Sequence, residues 1–205
     1  MKKVIFSFSV FLILAVAAAV YFIVPRTSVD STSAEAPSAC VTIETPEKKS
    51  ASDRETFTVN VLLSALEDGA YPAASFTIGF DSSKLEFVGL EDGNVMISCD
   101  DMENGTSTET PDWEVNVEKS NETGKINIMY FDRSGENRVF SKSGLPDGGK
   151  VLFKLRFALS DSAQSGDIYE LDVEDAVFAS SDETHSLASI NGTLGTRNGR
   201  IVIGD

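Results

Sequence analysis

The sequence predicts an all-β domain, a two-sheet sandwich of about nine short strands, behind one N-terminal apolar helix. Three observations point there. Apolar and polar residues alternate with period two in several runs, Gly- or Asp-rich turns separate those runs, and no helical period of useful length follows the first apolar segment.

Lys2 and Lys3 precede an uncharged run from Val4 to Val24, broken only by Ser7 and Ser9. As a helix this run is about 30 Å long, enough to span a bilayer. The two lysines favour an inside N-terminus, which puts everything after Pro25 outside the cell. Residues 1–25 are therefore expected to be a single-pass membrane anchor. A cleaved signal peptide, giving a secreted domain, is the competing reading, with Ala15, Ala17 and Ala19 or Ala34-Glu35-Ala36 near the cut. Residues 26–39 are rich in Ser, Thr, Ala and Pro and read as a flexible tether.

The sandwich is expected over residues 40–205. Phe57, Val59, Val61 and Leu63 alternate with polar neighbours, and Glu67-Asp68-Gly69 turns the chain. Ala74, Phe76, Ile78 and Phe80 form the next stripe. Further strands are expected at Leu85–Val88, Val95–Ser98, Trp113–Val117, Ile126–Phe131, Val151–Phe157, Ile168–Val173 and Arg200–Ile203. Turn sequences such as Pro146-Asp147-Gly148-Gly149 and Asn191-Gly192 separate them.

Charge narrows the partners. The chain has 17 basic and 32 acidic residues, and only Lys2, Lys3, Arg26, Asp30 and Glu35 precede residue 40. Such an acidic surface repels phosphate backbones, so nucleic acid is not an expected partner. Cys40 and Cys99 are an even pair that an oxidising compartment could join, but two free thiols fit the spacing equally well. With one histidine, His185, and no Cys/His cluster, no zinc site is expected.

No catalytic set stands out. His185 sits in the polar loop Ser180–Ser186 without a paired nucleophile, and no carboxylate pair is distinct from the acidic background. Asp100-Asp101-Met102-Glu103-Asn104-Gly105 is oxygen-rich but lacks EF-hand spacing, so a solvated loop is the default and calcium the lesser alternative. The expectation is a binding module, no enzyme and no resident cofactor.

The run Ala74-Ser75-Phe76-Thr77-Ile78-Gly79-Phe80-Asp81-Ser82-Ser83-Lys84-Leu85-Glu86-Phe87-Val88 resembles the third-strand signature of cohesin domains. Gly124–Phe131 resembles the sixth strand, Gly149–Phe157 the eighth and Asn198–Ile203 the closing strand. The resemblance implies a nine-stranded jelly-roll that binds a dockerin, a short calcium-loaded helical module of cellulosome-type enzymes. Calcium is thus expected on the partner. An anchored, monomeric cohesin would mount glycan-degrading enzymes on the cell surface.

In that family the docking face is the sheet of strands 8, 3, 6 and 5. The resemblance carries the face onto Ala73, Ser75, Thr77, Asn116, Ile128, Tyr130, Asp132, Arg133 and Gly135. Ala73 and Ser75 stand where first-type members often have an Asn and an Asp. The later loop keeps a Ser-Gly step, with Arg133 near the family's acidic position. Strand 6 is apolar on both parities, and the resemblance turns Ile128 and Tyr130 outward. Beside small residues they would make a flat, partly apolar patch suited to a helix. A carbohydrate-binding module of the same sandwich class and an adhesive or structural envelope domain are the alternatives. Trp113, with Val115 and Val117, reads as a core stripe, which leaves few rings for a sugar platform.

Overall fold

Period-two alternation is realised as strands from Ala39 to Gly204. The computed structural model describes residues 37–204 apart from 48, 53–54, 102–104, 149 and 182–184. The expected anchor and most of the tether lie outside the described residues. Among those described, no helix is long and apolar enough to cross a membrane.

The elements are β1 (Ala39–Ile43), β2 (Lys49–Ser50), β3 (Phe57–Leu63), β4 (Ala73–Gly79) and β5 (Leu85–Asp92). Then come β6 (Ile97–Asp101), β7 (Gly105–Glu109), β8 (Glu114–Val115), helix α1 (Val117–Thr123) and β9 (Lys125–Phe131). The last are β10 (Val151–Leu159), β11 (Ile168–Ala179), β12 (Leu187–Ala188), β13 (Leu194–Arg197) and β14 (Gly199–Gly204).

Two sheets face each other. One is ordered β13-β1-β3-β10-β5; the other is β2-β14-β11-β4-β9-β8, with β12 added to β11. Alternation places Phe57, Val59, Val61, Phe153, Leu155 and Phe157 of the first sheet in the core. The second contributes Phe76, Ile78, Ile126, Ile128, Leu171 and Phe178. Phe76 meets Trp113, Phe153 and Phe178 edge-on at 5.5–5.7 Å between ring centroids, linking the two layers through aromatic contacts. Trp113, Val115 and Val117 pack against this core as the stripe expected of them.

Three expectations change, and one that the spacing leaves open is decided. Val151–Phe157, likened to the eighth strand, is β10 and pairs with β3 and β5 in the sheet opposite β4. The neighbour of β4 on that side is β11, which extends to Ala179 through a register shift between Val173 and Asp175. Alternation reports that a strand is half-buried and says nothing of which sheet it joins.

Val95–Ser98 is displaced to β6, which pairs with β7 as a two-stranded ribbon and is bridged to Val139 through Ser98. The Trp113–Val117 strand shortens to β8, because Asn116 caps a helix: its Oδ1 accepts from Lys119 N–H at 2.9 Å. Gly124 ends α1 in the left-handed region (φ 67°), where a Cβ would also meet the Phe80 carbonyl.

Finally, Cys40 and Cys99 are both free thiols. Cys40 lies on β1 beside Thr42, whereas Cys99 is buried on β6. Burial, then the Glu109 charge, pushes the Cys99 thiol upward, away from the reactive thiolate.

Candidate partner-binding face

β11, β4, β9 and β8 lie side by side, and their registers set rows of outward residues across the sheet. Ala73 stands between Ala179 and Phe131, and Ser75 between Val177 and Met129, with Glu114 of β8 opposite Met129. Thr77 stands between Asp175 and Asn127 and donates to Asn127 Oδ1 at 3.0 Å. Toward the end of the strands, Gly79 stands between Asp172 and Lys125, and Lys125 pairs with Glu174 at 2.6 Å. The face is therefore apolar at the Ala73 end and charged at the Gly79 end.

Ile128 and Tyr130 do not face outward. They are 1 % and 4 % exposed, while Met129 and Phe131 are 47 % and 58 % exposed. The Tyr130 hydroxyl donates to the Arg138 carbonyl at 2.9 Å, and its ring packs edge-on against Trp113 and Phe140. Burial, then the Asp132 charge, raises that hydroxyl's pKa. The patch next to Ala73 and Ser75 is thus built by Met129 and Phe131. The signal was present in the strand itself: Lys125 and Asn127 share parity with Met129 and Phe131, and a polar pair marks the solvent side.

Ala73, Ser75 and Thr77 are half-buried on the outer side of β4, as expected. Asn116 joins them: with Ser75, Thr77, Glu114, Val115, Asn127 and Met129 it lines a shallow depression between β4, β9 and β8. Its side-chain oxygen caps α1, so its first role is structural.

Asp132, Arg133 and Gly135 form the adjoining loop. Asp132 Oδ1 accepts from the Ser134 N–H at 2.9 Å and hydroxyl at 2.6 Å, and Oδ2 accepts from Arg138 N–H at 3.1 Å. Burial alone would raise this carboxyl, but those hydrogen bonds outweigh it and hold it below its ordinary value. Arg133 reaches back to Glu114 of β8 at 2.7 Å. Gly135 supplies a left-handed turn position (φ 74°). The loop is organised by its own contacts and frames the apolar end of the face.

No group of three His, Cys, Asp or Glu side chains among the described residues is arranged to hold a metal. Met102–Asn104, the centre of the candidate calcium loop, lie outside them. His185 is exposed in its loop.

Small residues beside the exposed Met129 and Phe131 make a surface of the kind that meets another protein. A family model described as "Cohesin domain" matches residues 41–196, so the chain belongs to the cohesin family. Cohesins are non-catalytic interaction modules, and the chain is accordingly not an enzyme.

Its fold is similar to that of the sixth cohesin of scaffoldin B from Acetivibrio cellulolyticus, solved with a Cel5 dockerin mutant. The TM-score is 0.55 at 20 % identity, covering 80 % of this chain and 98 % of that one. It is similar also to the OlpA cohesin of Clostridium thermocellum, solved with a dockerin, with TM-score 0.56 and 15 % identity over 81 % of this chain and 99 % of that one. The cohesin module of a family 33 glycoside hydrolase from Clostridium perfringens gives 0.50 at 12 % identity, over 82 % and 98 %. No curated protein matches the chain in sequence.

Proposed function

We propose that this chain is a cohesin that holds a calcium-loaded dockerin on its β11-β4-β9-β8 face, and through it a glycan-degrading enzyme. The observation that carries this reading is the exposure of Met129 and Phe131 beside Ala73 and Ser75 in a chain of the cohesin family. Two large apolar side chains flanking small ones give a helix both a flat seat and a desolvated anchor. Solved relatives that hold dockerins support the choice of partner. The N-terminal apolar run would keep the assembly at the cell surface. The sugar-binding alternative receives no support, because Phe131 is the one exposed large ring among the described residues and forms no row.

Capture from the source organism's secretome on immobilised full-length chain, with and without calcium chelation, tests the reading. A dockerin-bearing enzyme is expected, released by chelation and lost with Met129→Asp or Phe131→Asp at unchanged melting temperature. Tyr130→Ala behaves differently: it removes a buried ring and costs about 3–5 kcal/mol of stability. Capture that survives both surface substitutions sinks the proposed face.

A further inference from the structure

Ile190 is 91 % exposed, more than any other large apolar residue described. It occupies the turn Ser189–Gly192, in which Gly192 N–H donates to the Ser189 carbonyl at 3.1 Å. A β-branched residue is a poor choice for the centre of a turn, where polar residues, Pro and Gly prevail. The fold gains no burial from Ile190 there, so its apolar surface is free to meet a partner.

The turn is also held rigidly. Asn191 Oδ1 accepts from Thr193 N–H at 3.0 Å and from its hydroxyl at 2.7 Å, and Thr193 Oγ1 accepts from Ala188 N–H at 2.8 Å. Ser189 ties the turn to the face: its N–H donates to the Ala176 carbonyl, its Oγ accepts from Ala176 N–H, and that hydroxyl donates to Asp175 Oδ1 at 3.0 Å. An apolar side chain presented on a braced turn loses little freedom on binding.

Its place in the sheet supplies the role. β12, which leads into the turn, pairs with β11 so that Ala188 lies opposite Val177, in the row of Ser75 and Met129, and Ser189 then carries the turn toward Asp175, in the next outward row with Thr77 and Asn127. From β9 to β12 is three strand spacings, roughly 14 Å. A helix with side chains is about 10–12 Å across. Between the two sides lie Ala73, Ser75, Val177 and Ala179, which are short.

We infer that the Ser189–Gly192 turn is the second wall of the docking face, with Ile190 inserting into an apolar seat on a dockerin helix. That helix lies along β4 and β11, between Ile190 and the Met129–Phe131 edge. Its exposed surface carries apolar residues on two flanks rather than one. This rests on the dockerin reading above, and the test separates the two.

The probe is the calcium-loaded dockerin recovered in the capture experiment, produced alone and titrated onto full-length wild type, Ile190→Ser, Ile190→Val and Phe131→Asp. Ile190→Ser is expected to weaken binding roughly tenfold or more, as for an anchor residue, with unchanged melting temperature, while Ile190→Val retains most of the affinity. On wild type, amide exchange of residues 188–194 is expected to slow when the dockerin binds. Unchanged affinity of Ile190→Ser, or unchanged exchange in the turn, while Phe131→Asp abolishes binding, overturns the second wall and leaves the dockerin reading intact. Failure to capture any dockerin, or indifference to Phe131→Asp, overturns both.

Discussion

Asp132 shows how one carboxylate can shape the rim of the face through hydrogen bonds to its own loop. Its two oxygens satisfy three donors of the Ser134–Arg138 loop, which hold it ionised below its ordinary range. Because its folded pKa is depressed, its stabilisation is fully present above the unfolded value, about 3.9. It disappears as pH falls through the lower folded value. Asp132→Asn should therefore melt below wild type at neutral pH, and the gap should close on acidification. The measurement is melting temperature against pH for both proteins. A gap that stays constant into the acid range would mean that the charge on Asp132 contributes nothing. Tyr130, two residues earlier, carries the complementary lesson: a large aromatic in a doubly apolar strand goes where its hydroxyl finds a partner, here the Arg138 carbonyl.

At the scale of elements, α1 does more than connect β8 to β9. β5 is the edge of its sheet, and Asn121 of α1 covers part of that edge. Its Oδ1 accepts from Phe87 N–H at 2.8 Å and its Nδ2 donates to the Phe87 carbonyl at 2.9 Å, imitating a neighbouring strand. Asn121→Leu leaves both backbone groups unmet and is expected to cost about 1–3 kcal/mol. Urea denaturation should show that loss, together with faster amide exchange at Phe87. Unaltered exchange would show that α1 leaves the edge unguarded.

What was legible divides along the same physical lines. The alternating stripes of β3, β4 and β14 were readable because one face is core and the other solvent, and period two then follows from geometry. Helix α1 is not legible in the sequence: seven residues make barely two turns, too few to show a period, although Asn116 and Gly124 mark its ends. β9 is legible as a strand but its outward side is not, since Ile128 and Tyr130 on one parity and Met129 and Phe131 on the other are all apolar. The exchange of β10 for β11 beside β4 was beyond alternation, because both runs alternate and their pairing depends on distant contacts. The outward side of β4 is therefore legible from its alternation, and that of β9 is not.

For the whole molecule, the decisive question is whether recognition needs the first 35 residues. Residues Ala36–Asp205 form one compact unit, apart from Met1–Glu35. Its core runs from Ala39 to Ile203, and both principal sheets are complete within it. β1 lies between β13 and β3, with Val41 and Ile43 buried, so it is an integral strand of its sheet. A chain of residues 36–205 should thus unfold in one cooperative transition. Its melting temperature should equal that of the full chain, and it should capture the same dockerin. Starting the chain at residue 44 instead removes β1, exposes the inner side of β3 and β13, and should abolish cooperative folding. The comparison is made by calorimetry, with capture read on the same samples. A drop of several degrees in the 36–205 chain would place part of the first 35 residues in the fold. Equal melting with lost capture would place them in the docking site, and a tether that serves only as a spacer would no longer account for them.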